Sequence, residues 1–131
     1  MRVIIGLGLA IVLAGAAGAQ AVPTEISRLS GSKITLHVHP FLTEAELATL
    51  RLVASNKDAL KLFVASNKGY AAIAVAPGEG FLRDGMPVAS AFAIAELPDA
   101  ETALAEALKG CDAARNGGEA CVVVLEIGPG R

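Results

Sequence analysis

The two cysteines constrain this chain most. Cys111 closes the apolar stripe of a helix-like segment, and Cys121 opens a strand-like one ten residues later. A bond between them would force that helix to lie on that strand. The spacing is unlike the C-x-x-C of catalytic thiol pairs. It fits a structural disulfide in an oxidising compartment, where closing so short a loop contributes about 3 kcal/mol.

The N-terminus points to that compartment. Met1-Arg2 supplies positive charge, Val3 to Leu13 is an unbroken apolar run, and Ala14 to Ala21 holds only Ala, Gly and one Gln. This is the layout of a secretory signal peptide. Ala19 and Ala21 make an A-x-A cleavage site, with Ala17-Gly-Ala19 as a second choice. A membrane anchor needs about 20 apolar residues, and here the run fades into an Ala/Gly tail. The membrane is therefore met only in transit, and the expected location is the periplasm or the outside.

Without residues 1–21 the chain keeps ten Lys and Arg against thirteen Asp and Glu, a net charge of −3. That balance is evenly spread and excludes the basic patch that nucleic acid requires. The expected organisation is a signal peptide over 1–21, a flexible tether over 22–33, one α+β domain over 34–128 and a tail over 129–131.

Within the domain, Ile34 to His39 alternates apolar and polar, as in a half-buried strand. Thr43 to Glu46 reads T-E-A-E, a capping box, and predicts a helix to about Ser66 with a bend near Ser55–Asp58. Val53-Ala-Ser-Asn-Lys57 recurs as Val64-Ala-Ser-Asn-Lys68. The eleven-residue shift is about three helical turns, so a duplication would lengthen a helix in phase. Tyr70–Ala76 and Val88–Ile94 read as strands. Asp99 caps a second helix striped by Ala100, Leu104, Ala107, Leu108 and Cys111. Cys121–Ile127 reads as the last strand, with Cys121, Val123, Leu125 and Ile127 on one face. The order β-α-β-β-α-β predicts a ferredoxin-like fold, with two helices on one face of a four-stranded antiparallel sheet.

Candidate chemistry is sparse. The two histidines, His37 and His39, share one side of a strand and could form half of a copper or zinc site. Other ligands would have to come from carboxylates or a partner chain, and two solvated histidines are the plainer reading. No G-x-S-x-G elbow or phosphate-binding G-x-x-x-x-G-K-[ST] occurs. Gly6-Leu7-Gly8 lies inside the leader. No spacing of Asp and Glu marks a catalytic pair, and no cofactor is implied. In the expected topology, Thr35, His37 and His39 lie beside Ala89, Ala91 and Ala93 on the open sheet face. That flat face would suit a second copy or another protein or small-molecule partner.

Gly69-Tyr-Ala-Ala-Ile-Ala-Val-Ala-Pro-Gly-Glu-Gly80, Ala107-Leu-Lys-Gly-Cys111 and Glu119-Ala-Cys121-Val-Val-Val carry a resemblance. Over about residues 36–127 the chain resembles short secreted bacterial proteins that go under the name 5-aminolevulic acid synthase. It is also similar to a secreted domain of unknown function with a GAIA-type strand and paired C-terminal cysteines. The resemblance implies an exported small domain and carries that synthase activity as one alternative. Such chemistry calls for a Schiff-base lysine. Lys33, Lys57, Lys61, Lys68 and Lys109 fall in the expected tether, on or just after a helix, or near a helix end. The residues themselves favour a non-catalytic binding or interaction module, with metal binding through His37 and His39 as the other alternative.

The protein recovered from an exporting host should have an intact mass matching a chain that starts at Val22 or Gln20, with two hydrogens missing from its thiols. A mass that still includes Met1 would sink the export reading.

Overall fold

The computed structural model describes residues 22–65 and 68–130. The leader over 1–21, Ser66 and Asn67 in the second copy of the repeat, and Arg131 lie outside them.

The chain begins with a hairpin. Strand β1 (Thr24–Leu29) pairs with β2 (Ser32–His37). Ser30 and Gly31 make the two-residue turn at φ 52° and 83°. Two consecutive left-handed residues are what a tight hairpin needs to match strand twist. Thr24–Leu29 is therefore a strand, not a tether. Its side chains hid it: Ile26 and Leu29 fall on opposite faces, so no apolar alternation shows.

Helix α1 (Glu44–Ser55) starts at the capping box. The Glu46 N–H donates to Thr43 Oγ1 at 3.1 Å, and the Thr43 N–H donates to Glu46 Oε1 at 2.9 Å. Asn56 then ends α1 and caps α2 (Lys57–Phe63). Its N–H donates to the Leu52 carbonyl, and its side chain accepts from the Ala59 N–H. The expected bend is thus a full break. The first copy of the repeat spans it, so the repeat does not extend one continuous helix.

After β3 (Tyr70–Val75) come two short strands, β4 (Leu82–Arg83) and β5 (Met86–Pro87). Then follow β6 (Phe92–Leu97), α3 (Ala100–Ala114) and β7 (Val122–Pro129). The main sheet has the order β1-β2-β7-β3-β6, antiparallel throughout.

The class is α+β. The four-stranded ferredoxin-like arrangement is not what the sheet shows. A fifth strand is added, β7 and β3 lie side by side where β2 and β6 were expected to pair, and helices cover both faces. The reason lies in β3, where Ala71 to Ala76 are all buried. Ile73 and Val75 face a layer built on Leu50, Leu60 and Val64 from the α1–α2 side. Ala72, Ala74 and Ala76 face Ala103, Ala107 and Cys111 of α3. Alanine against alanine lets helix and sheet approach closely. Gly110 serves the same end, because a Cβ there would meet the Phe92 ring at 2.5 Å.

Strand β7 changes phase midway. Ile73 is opposite Leu125 but Ala74 is opposite Val123, so Val124 is an inserted residue. Such a bulge shifts the alternation by one. Cys121 and Val123 therefore face α3, while Leu125 and Ile127 face the α1–α2 layer. The single-face reading of this strand is corrected accordingly. Gly128 and Pro129 complete the strand, and the Gly130 N–H donates to the Gly31 carbonyl. The chain thus stays paired beyond 128, where a tail was expected. Cys111 and Cys121 are joined as a disulfide across the α3–β7 contact. Asp112 braces that loop by accepting from the Cys121 N–H and from Arg115.

Glu46 is only 4% exposed. Besides its capping bond, its Oε2 accepts from the N–H groups of Phe81 and Leu82, both at 2.8 Å. Burial pushes its pKa up, but the N–H groups of Leu82, Thr43 and Phe81 outweigh that and hold it below the ordinary 4.5. One carboxylate thus pins the start of α1 to the loop after β3. Because the folded value is depressed, its contribution is complete above about pH 4.5 and fades as pH falls through the lower folded value. Glu46→Ala should cost about 2–3 kcal/mol at neutral pH by stranding buried donors. Urea melts at pH 7 and pH 3 should show the deficit shrinking in acid. A deficit that does not change with pH would remove the carboxylate from this role.

Candidate functional site

The two helical layers are offset. α1 lies over β1 and β2 on one face, whereas α3 lies over β3, β6 and β7 on the other. On the α3 side, β1 and β2 are consequently uncovered. Their residues on that face are Thr24, Ile26, Arg28, Lys33, Thr35 and His37. Ile26 is 59% exposed.

A cleft of about 180 Å³ opens where the cover of α3 stops. Its walls include Lys33 and Thr35 from β2, Tyr70 from β3, Leu104 from α3, and Glu126 and Gly128 from β7. Glu126 stands on the strand between β2 and β3, opposite Thr35 on one side and Ala72 on the other. Its carboxylate Oε2 accepts from His37 Nε2 at 2.5 Å, and both side chains stay partly exposed. Lys33 makes no ion pair among the described residues. The cleft therefore offers an ammonium, a carboxylate hydrogen-bonded to an imidazole, and a threonine hydroxyl against an apolar wall. That set can orient a small polar molecule of either sign.

The two histidines make separate hydrogen bonds. His37 Nε2 is engaged by Glu126, and His39 Nε2 donates to the Val123 carbonyl at 3.0 Å. Their ring centroids lie 6.2 Å apart, and the His39 ring stacks on Phe41. No group of three or more His, Cys, Asp or Glu is arranged to hold a metal among the described residues. The expected alanine surface is elsewhere too. Ala93 lies opposite Ile73, on the α1–α2 face at the far edge of the sheet, and Ala91 packs toward that same core. Neither neighbours His37.

Reading the sequence missed Glu126, Tyr70 and the setting of Lys33. One signal was available. Glu126 is the one charge within Val122-Val-Val-Leu-Glu-Ile127, and a carboxylate inside an otherwise apolar strand needs a reason. Lys33 lies in β2, not in a tether. Its place in the cleft depends on the hairpin and on β7, which are distant in sequence. No known protein family, curated protein or solved structure matches the chain.

The Tyr70 ring packs against Gly128, where an added Cβ would meet its Cδ2 and Cε2 at 2.8 Å. Gly128→Ala should displace this ring, the chain's one tyrosine, while leaving the sheet intact. The check is near-UV circular dichroism, which should change while the far-UV spectrum does not. An unaltered near-UV signal would contradict this packing.

Proposed function

We propose that this chain is an exported, disulfide-braced binding module that captures a small polar ligand in the cleft beside Glu126 and performs no chemistry on it. One observation carries the reading. α3 covers only part of its sheet face, and the boundary is a cleft with Lys33 and Glu126 at its wall rather than a filled apolar seam. Glu126 makes one hydrogen bond, to His37, and has acceptor capacity left for a ligand in the cleft. Ligand sites are typically concave, with apolar walls and a few convergent polar groups.

Export is supported by the leader-like N-terminus and the disulfide. It is also consistent with the finding that no helix among the described residues is long and apolar enough to cross a membrane. The His37 ring faces a carboxylate, and no cysteine or serine lines the walls.

Native mass spectrometry of protein purified from an exporting host tests the reading. The expected spectrum is an oxidised, cleaved chain carrying extra mass, which Glu126→Leu loses. Tyr70 supplies a second readout, since its fluorescence should respond when the released ligand is added back. An empty wild-type chain, with no Tyr70 response to extracts of the exporting host, would overturn the proposal.

A further inference from the structure

The free edge of β1 has a self-complementary register. The Val38 N–H donates to the Pro23 carbonyl at 2.8 Å, which fixes the phase of the β1–β2 ladder. Hydrogen-bonded and non-bonded pairs alternate along an antiparallel ladder. Glu25, Ser27 and Leu29 therefore direct their backbone groups toward β2. Thr24, Ile26 and Arg28 direct theirs outward, along an edge where β1 has no strand neighbour among the described residues. These three residues are symmetric about Ile26.

We infer that β1 pairs antiparallel with β1 of a second copy across a two-fold axis at Ile26. In that register every outward group is matched, giving about six ladder hydrogen bonds. Thr24 lies opposite the partner's Arg28, and Glu25 lies opposite the partner's Ser27. No like charges face each other. Arg51 already neutralises Glu25 through a bidentate pair, and Arg28 is drawn toward the Gly130 carbonyl. Ile26 meets the partner's Ile26, which gives its 59% exposed side chain an apolar neighbour. Pro23 lies just outside the strand, so nothing in the six residues interrupts the pairing.

The assembly would be a continuous ten-stranded sheet. A two-fold axis perpendicular to a sheet keeps equivalent faces on one side, so the uncovered halves of the two copies join into one surface. α3 of each copy borders it, and each cleft lies at its margin. The pairing does not depend on the cleft having a ligand. A strand contact this short belongs to the small, transient class of interfaces, below about 1,200 Å².

The test uses the full chain purified from an exporting host. Sedimentation velocity should show a monomer–dimer equilibrium that rises with concentration. Ile26→Lys, which places two ammonium groups on the axis, should leave a monomer with an unchanged melting temperature. Residues directly opposite in a hydrogen-bonded pair have Cα atoms about 5.5 Å apart, within disulfide reach. Ile26→Cys should therefore form a covalent dimer roughly tenfold faster than Thr24→Cys, since that distance suits a disulfide only at the axis. A monomer at all concentrations with equal trapping rates would overturn the inference. So would a dimer that survives Ile26→Lys.

Discussion

Everything in this fold answers to the two faces of β3. Ala-Ala-Ile-Ala-Val-Ala, residues 71 to 76, is buried on both sides but unequally. Ile73 and Val75 require a thick apolar layer, which α1, α2 and the large residues of β2 and β7 supply. The alanines require a close one, which α3 supplies with Ala103, Ala107 and Cys111. A helix that packs alanine to alanine must centre on the alanine strand. α3 therefore sits over β3 and its neighbours and does not reach β1. The open half-face and the cleft at its border follow from that placement.

Two carboxylates, buried Glu46 and half-buried Glu79, hold the connections. Glu46 accepts from the backbone of Thr43, Phe81 and Leu82. Glu79 accepts from Ser90 Oγ and from the Asn116 N–H, tying the turn after β3 to the end of α3. In both cases a side-chain anion satisfies donors that loops leave unpaired. At Glu46, where the donors are buried, this costs less than leaving them bare. Acid sensitivity comes with this arrangement, because the hydrogen bonds that hold the loops keep both carboxylates below the ordinary 4.5, and their contribution is lost as pH falls through those lower values.

Much of the local structure was legible. The T-E-A-E box placed α1, Asp99 placed α3, and the Cys111 stripe with the strand at Cys121 located the disulfide. Each rests on contacts within a few residues, which periodicity and capping chemistry report directly. Apart from the helix break at Asn56, the misreadings share one cause, which is that they concern pairings between strands. β1 lacked alternation because Ile26 and Leu29 point to opposite faces. The bulge at Val124 leaves no mark in an all-apolar run. Glu126 and Lys33 become a site only when β2 and β7 pair.

The sequence by itself determined most of the element types within the domain, the starts of α1 and α3, the disulfide partners and the leader-like N-terminus, because these are set by local backbone chemistry and composition. Tertiary structure decided the strand order, the split of the helices over two faces, and the meeting of His37, Glu126 and Lys33. Those depend on how large and small side chains fill a shared core. That is a property of whole faces in contact, which no single segment encodes.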